Sequence, residues 1–314
     1  MLDSYLGAMV GLALGDAIGE LKQHNESLPL DAILKRKLAY TDDTALALGL
    51  LKAILVDDNL TYQLVGDHFL EAINAEPDRG YGGEQLVYYL AEQQGLDYLT
   101  ARDKVDQAFN HGAGSSGDGA VMRITPLALY YAHDDRLDNS LRIACSIDHN
   151  SLAAYDSCAL ACKVVKDALD GLDLPKEAYL QGLIVSCASQ EMALSLERVL
   201  EVARDGLDCR SVDRLLGNVN RSVVASTSAF PYALFCYLMA DGDFEKCLGL
   251  CLETQGDCDT IAAIGCSFCG ARRGLSGIPS SYYAGLENLS SLLEGSKALY
   301  LKRTLACQAG MDLP

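Results

Sequence analysis

Positive charge is in short supply in this chain: 25 lysines and arginines face 43 aspartates and glutamates, a formal charge of −18 with neutral histidines. A groove that tracks phosphates needs clustered Lys and Arg, so nucleic acid is excluded as a partner, and a metal or cationic partner suits the composition better. Basic residues are also missing from the start. The apolar N-terminal stretch follows Asp3 and meets no Lys or Arg before Lys22, the reverse of a secretory leader, which points to a cytoplasmic protein. Without such a leader, the twelve cysteines read as small buried hydrophobes of a reducing compartment rather than as a disulfide framework. Long uncharged runs are rare. The longest, Ser222 to Ala240, carries Ser226, Thr227, Ser228 and Pro231, so it reads as a buried helix pair and not as a membrane span.

Proline is scarce too. Its seven copies, at positions 29, 77, 126, 175, 231, 279 and 314, leave intervals of about fifty residues in which helices can run unbroken. Alternating β-branched strands bounded by hairpin turns are few. What the sequence does contain is apolar residues at helical spacing: Leu6, Met9, Val10, Ala13, Leu14, Ala17 and Ile18; then Leu152, Tyr155, Ala159, Cys162, Val165 and Leu169; then Met192, Leu196, Val199, Leu200 and Ala203. Half of the chain is hydrophobic, and no repeat, linker or low-complexity segment divides it. The pattern predicts an all-α fold, a single many-helix domain over residues 1–314, with a monomer as the neutral expectation. Within the first helix Gly7, Gly11, Gly15 and Gly19 recur every four residues. Such a stripe weakens a helix and is explained by close approach of another backbone, either for tight packing or because a site needs helices that near.

Two short segments put carboxylates where helices should begin: Tyr40-Thr41-Asp42-Asp43-Thr44 before an apolar run to Val56, and Gly256-Asp257-Cys258-Asp259-Thr260 before a run to Leu275. Either alone is sufficient as an N-terminal cap. Together they offer more than capping needs, and four gathered carboxylates repel unless cations neutralise them. Oxygen donors of this kind suit Mg²⁺, Mn²⁺ or Ca²⁺ rather than zinc, and the glycine turn and distal Glu of an EF-hand are missing. Between the motifs lies the loop His111-Gly-Ala-Gly114-Ser115-Ser116-Gly117-Asp118-Gly119-Ala-Val-Met-Arg123, whose backbone N–H groups could cradle a phosphate or sugar. It has neither the ending of a Walker loop nor the setting of a dinucleotide fingerprint. A second cluster, Arg79-Gly80-Tyr81-Gly82-Gly83, reads as a turn or as a tyrosine face for stacking on a base.

These segments, in this order, resemble the ADP-ribosylglycohydrolases. Gly11-Leu-Ala-Leu-Gly-Asp16-Ala-Ile-Gly19 is similar to the family's opening helix, and Tyr40–Thr44 and Gly256–Thr260 to its two metal motifs. Gly117–Arg123 followed by Pro126-Leu-Ala-Leu resembles its Gly-Asn-Gly segment, and Asp148-His149-Asn150 its Thr-His motif. The resemblance implies an orthogonal all-α bundle with two divalent cations, Mg²⁺ or Mn²⁺, held by Thr41, Asp42, Asp43, Asp257, Asp259 and Thr260. The glycine loops supply the expected substrate contacts, Tyr81 and Gly82 from one and Gly114, Ser115, Ser116, Gly117 and Gly119 from the other, and the resemblance adds His149. The implied reaction is hydrolysis of the glycosidic bond between ADP-ribose and a protein side chain or small conjugate, with Asp43 and Asp257 in the catalytic centre.

Two departures bear on the chemistry. Seven residues after the family's Gly-Asp aspartate a glutamate often helps to activate water, and here that position is Gln23, an amide that cannot act as a base. Asp118, where the family commonly has Asn, is the leading substitute; Glu20 and Glu26 would need a shifted loop. The second departure is Asp148 in place of threonine before His149. Arg123 reads as an ion-pair partner, Cys266-Ser-Phe-Cys269 as helical core, and Cys258 as pointing away from its neighbours' metals. The competing readings are a catalytically weak ADP-ribose binder, supported by Gln23, and a two-metal phosphoesterase, which would release AMP instead. The electronegative rim leans toward ADP-ribosyl-arginine over serine, nucleobase or O-acetyl linkages.

Overall fold

A computed structural model describes residues 1–206 and 208–311. They form seventeen α-helices and one turn of 3-10 helix, and the only β-pairing among them is two isolated bridges, Leu38 with Leu286 and Gly117 with Ala225. The all-α reading therefore holds. Two helices make the axis of the molecule: Leu2–His24, whose residues from Gly7 to Gly19 are all buried, and Cys258–Arg273, buried from Cys258 to Ala271. An apolar surface on all sides marks a helix enclosed by others. Around this pair pack the helices Asp42–Val56, Leu152–Leu169, Ser226–Met239, Phe244–Cys251 and Leu289–Met311.

The glycine stripe explains the axis. A Cβ added at Gly11 would lie 2.4 Å from the Cys266 carbonyl oxygen, at Gly15 2.1 Å from that of Ala262, and at Gly19 2.5 Å from the Asp259 Cα. From the other side, one on Gly270 would lie 2.0 Å from the Gly7 oxygen. The helices thus meet backbone to backbone, which brings the C-terminal half of the first against the acidic start of the other.

The run from Ser222 to Ala240 differs from the expected helix pair: it forms one helix, Ser226–Met239, with Pro231 inside it. Pro231 removes a single backbone bond near the helix start, which the surrounding core tolerates. No helix among the described residues is long and apolar enough to cross a membrane. The twelve cysteines are free; ten are buried, Cys187 is partly buried and Cys307 is exposed. Cys266 and Cys269 lie in the core, and the thiols of Cys251 and Cys247 close on Gly265, 3.0 and 3.2 Å from where its Cβ would be.

Candidate active site

Capping does not account for the two acidic motifs. At the Asp42–Val56 helix the cap is Thr41, whose Oγ1 accepts from the Asp43 N–H. Asp16, buried in the first helix, completes it by accepting from the N–H groups of Thr41 (2.9 Å) and Thr44 (3.1 Å) and from the Thr44 hydroxyl (2.6 Å). At the Cys258–Arg273 helix, Asp257 occupies the cap position but makes no capping bond. Gln23 does so instead: its Oε1 accepts from the Cys258 N–H at 3.3 Å while its Nε2 donates to Glu20. The carboxylates of Asp42, Asp43, Asp257 and Asp259 are left for something else.

The fold turns them toward one cavity of about 620 Å³, which Thr41, Thr260 and Asp118 also line. The Thr260 hydroxyl donates to Asp43 Oδ1 at 3.3 Å, joining the two motifs. Three buried carboxylate oxygens, Asp43 Oδ2, Asp118 Oδ2 and Asp259 Oδ1, have no hydrogen-bond partner. Burial and then mutual repulsion push the acids upward: Asp42 to about 7, chiefly through burial and Asp259, and Asp43 well above the carboxylate range, through burial, Asp16 and Asp259. Asp257 moves the same way through burial, Asp259 and Asp118. Burial raises Asp118 to about 7, with His149 opposing and Asp259 and Glu84 adding.

Orphaned buried oxygens on all-oxygen donors fit hard divalent cations. As they stand, no three His, Cys, Asp or Glu side chains among the described residues are gathered at ligand spacing.

This cluster sets a pH dependence for the metal-free protein. A carboxyl raised in the folded state keeps a proton that the unfolded chain gives up near pH 4, so its stability contribution is lost as pH rises through the folded value. With Asp42 and Asp118 at about 7 and Asp16 pushed by burial to about 8, the window is pH 5 to 8. In chelator the melting temperature should fall by roughly 5–10 °C across it. Mn²⁺ or Mg²⁺ should raise it more at pH 8 than at pH 5. A chelated protein that grows more stable over this range would contradict the arrangement.

The glycine loops divide. Arg79 fastens the first, donating to the Tyr40 carbonyl at 2.7 Å and to Glu76 at 2.6 Å, pairing with Glu287, and lying 4.2 Å over the Tyr40 ring. Tyr81 and Gly82 consequently line the cavity, as do Gly117, Gly119 and His149. Gly114, Ser115 and Ser116 do not. Gly114 adopts φ +80° where an added Cβ would lie 2.7 Å from the Asn150 carbonyl carbon, Ser115 donates its hydroxyl to Glu84 at 2.9 Å, and Ser116 is exposed with its carbonyl held by Ser226. Here the loop is packed down by Asn150 and Ser226, which sequence spacing does not register.

His149 is almost fully buried, and its Nδ1 donates to Asp148 Oδ1 at 2.7 Å. The same oxygen accepts from Arg123 at 2.5 Å, Oδ2 accepts from the Tyr88 hydroxyl at 2.5 Å, and Arg123 lies 4.4 Å over the Phe69 ring. Burial would lower the imidazole's pKa, but Asp148 outweighs it and the net direction is up. Asp148 thereby pairs Arg123 and orients His149. Breaking such a pair from one side strands a buried charge, so Arg123→Leu should cost about 3–5 kcal/mol in urea unfolding. A loss under about 1 kcal/mol would show that Asp148 does not depend on it.

Two residues of the site went unassigned in the sequence. Asp16 was visible as part of a motif but not as the group that holds a helix start. Glu84 lines the cavity between the glycine loops, yet in sequence it is an ordinary acid at a helix start. Glu20 also faces the cavity, whereas Glu26 is on the surface, paired with Arg221 at 2.7 Å. Cys258 turns its thiol away, toward the Cys251 carbonyl at 3.9 Å.

A family model described as ADP-ribosylglycohydrolase matches residues 1–309. ADP-ribosylhydrolase ARH3 of Xenopus tropicalis is 26% identical over 338 residues, covering 94% of this chain and 94% of the relative. The protein of the same name from Danio rerio is 27% identical over 341 residues, with 96% and 90% covered. An uncharacterized protein of Escherichia coli K12, YegU, is 27% identical over 317 residues, with 91% and 92% covered. A solved structure described as an ADP-ribosylglycohydrolase-related protein complex shares the fold, with a TM-score of 0.72 at 24% identity over 96% of this chain and 98% of that one.

Proposed function

Because this chain belongs to the ADP-ribosylglycohydrolase family, we propose that it hydrolyses the glycosidic bond between ADP-ribose and an acceptor, releasing ADP-ribose. The observation that carries the reading is the meeting of two acidic helix starts, freed from capping by Thr41, Asp16 and Gln23, around buried carboxylate oxygens without partners. Thr41, Asp42, Asp43, Asp257, Asp259 and Thr260 would hold two divalent cations, Mg²⁺ or Mn²⁺. Bound there, the cations would supply Lewis acidity toward a ribose hydroxyl and a water.

The chain's own residues do the rest. Asp118 lines the cavity with a buried, unpartnered Oδ2, and burial places it near neutrality, where a carboxylate can take a proton from water. That supports Asp118 as the base in place of the amide of Gln23. His149, held by Asp148, lines the cavity beside Glu84 as a substrate-binding residue, and Tyr81 and Gly82, with Gly117 and Gly119, form the adjoining walls. Nearby carboxylates favour an oxocarbenium-like transition state. A weak binder is less well supported, since Gln23 has a structural task at the Cys258 helix and an alternative base is present.

The test is release of ADP-ribose from ADP-ribosyl-arginine and ADP-ribosyl-serine peptides, with Mg²⁺, with Mn²⁺ and with chelator, read by mass spectrometry. Metal-dependent release that Asp257→Ala abolishes is the expected result, and Asp118→Asn should slow turnover by roughly 100-fold or more. AMP as product, or full turnover in the Asp118 variant, would overturn the respective assignment.

A further inference from the structure

Glu84 stands apart from the two aspartate motifs, just before the Gln85–Gln94 helix, with its carboxylate between the glycine loops. A methyl on Gly82 would meet its Oε2 at 2.8 Å, and one on Gly117 would meet its Oε1 at 3.4 Å. Oε1 accepts the Ser115 hydroxyl and lies 3.5 Å from His149 Nε2, a buried ring nitrogen with no hydrogen-bond partner. Among the described residues nothing donates to Oε2.

Among the described residues the cavity's cationic side chains leave Oε2 unpaired: His149 faces Oε1 alone. Arg79 is engaged by Glu76 and Glu287, and Arg123 by Asp148. Lys37, largely exposed at the rim, lies 3.4 Å from Glu287. Oε2 of Glu84 therefore has no cationic partner, on a residue that lines the cavity a substrate must enter. A cation for Oε2 is most simply brought by the substrate, and a guanidinium, with its planar fork of N–H donors, matches a carboxylate that has one oxygen open.

We propose that Glu84 is a specificity-determining residue that receives the guanidinium of ADP-ribosylated arginine, the leaving group of the hydrolysis proposed above, on which this inference rests. In that reaction the bond from the anomeric carbon to the guanidinium nitrogen breaks, water oxygen bonds to the carbon, and a water proton ends on the departing nitrogen. Glu84 takes no proton and holds the cation through the step. A seryl linkage leaves as a neutral hydroxyl and offers nothing to offset the carboxylate, so the residue discriminates by charge.

The test compares kcat/KM for ADP-ribosyl-arginine and ADP-ribosyl-serine peptides in wild type and Glu84→Gln, which keeps an acceptor for Ser115. The arginyl-to-seryl ratio should fall about tenfold or more in the variant, mainly through KM. A ratio that does not move, even if both activities drop, assigns Glu84 to holding Ser115 and His149 and overturns the proposal, as does a wild type that turns over only the seryl conjugate; in both cases the glycohydrolase reading stands. Should the wild type hydrolyse neither, that reading fails, and the intact conjugates then serve as ligands in calorimetry. A Kd ratio that shifts tenfold in Glu84→Gln upholds Glu84, and an unshifted ratio or no binding overturns it.

Discussion

An Asp43→Asn variant is expected to lose ADP-ribose release by at least roughly 10³-fold while its metal-free fold melts at a higher temperature than wild type at pH 8. The two effects share one cause. Asp43 is almost fully buried, accepts one hydrogen bond from Thr260, and keeps its second oxygen unpartnered among Asp16, Asp42, Asp257 and Asp259. Without a cation, burial and that crowd hold its carboxyl well above the usual range, so above the unfolded carboxylate range the folded chain must either keep a proton that the unfolded chain releases or bury a charge, and stability falls as pH rises. Asparagine has the same shape, needs no proton, and can donate to a neighbouring carboxylate. The repulsion is relieved, and with it goes the donor a divalent cation would need. Losses of 100- to 1000-fold follow removal of a single strong electrostatic contact at a reaction centre, and the loss of a metal ligand sits at the upper end of that range or beyond, roughly. Thermal melts in chelator and in Mn²⁺ separate the two effects: in chelator the variant should melt above wild type, and in Mn²⁺ the order should reverse. A variant that melts lower in chelator at pH 8, or keeps a tenth of the turnover, would remove Asp43 from its assigned place.

The parts of this site that were legible in the sequence are those fixed by local geometry. Acids beside a threonine ahead of an apolar run mark a helix start whatever surrounds it, and both starts occur where the pattern puts them. Four glycines at helical spacing announce a backbone neighbour but not which one; only the fold shows it to be the Cys258–Arg273 helix. What was illegible depends on partners distant in the chain. Glu84 resembles any acid in a first helical turn, and only the packing of Ser115, Gly117 and His149 around it turns it into a wall of the cavity. Gln23 reads as a missing base until the Cys258 N–H, 235 residues away, is found on its oxygen. Asp148 reads as a departure until Arg123 and Tyr88 are seen to close on it. The Gly114–Ser116 stretch errs the other way: composition gave it a ligand-binding look, and tertiary contacts turn it aside.

Gly15→Ala should cost roughly 3 kcal/mol or more and lower the melting temperature by about 5–10 °C, although alanine is the better helix former by about 1 kcal/mol. The added methyl would lie 2.1 Å from the Ala262 oxygen, 2.3 Å from its carbon and 2.6 Å from the Ala263 nitrogen. All three atoms are backbone, so no side chain can swing aside and the two axial helices must part. Gly182 provides the control: it lies exposed in the Lys176–Ser186 helix with nothing within 4 Å of an added Cβ, and Gly182→Ala should stabilise by roughly 0.5–1 kcal/mol. Propensity alone would move both variants the same way; opposite signs isolate the backbone contact. The consequence reaches the site, because Asp16 follows Gly15 and supports the Thr41–Thr44 turn, while Asp259 precedes Ala262 by about one turn of helix. Parting the helices separates the two acidic motifs that the axis brings together, so Gly15→Ala should also bind Mn²⁺ more weakly at a temperature where it is still folded. A folded variant with wild-type affinity for Mn²⁺ would mean that the motifs are held together by the surrounding helices and that the glycine stripe serves packing alone.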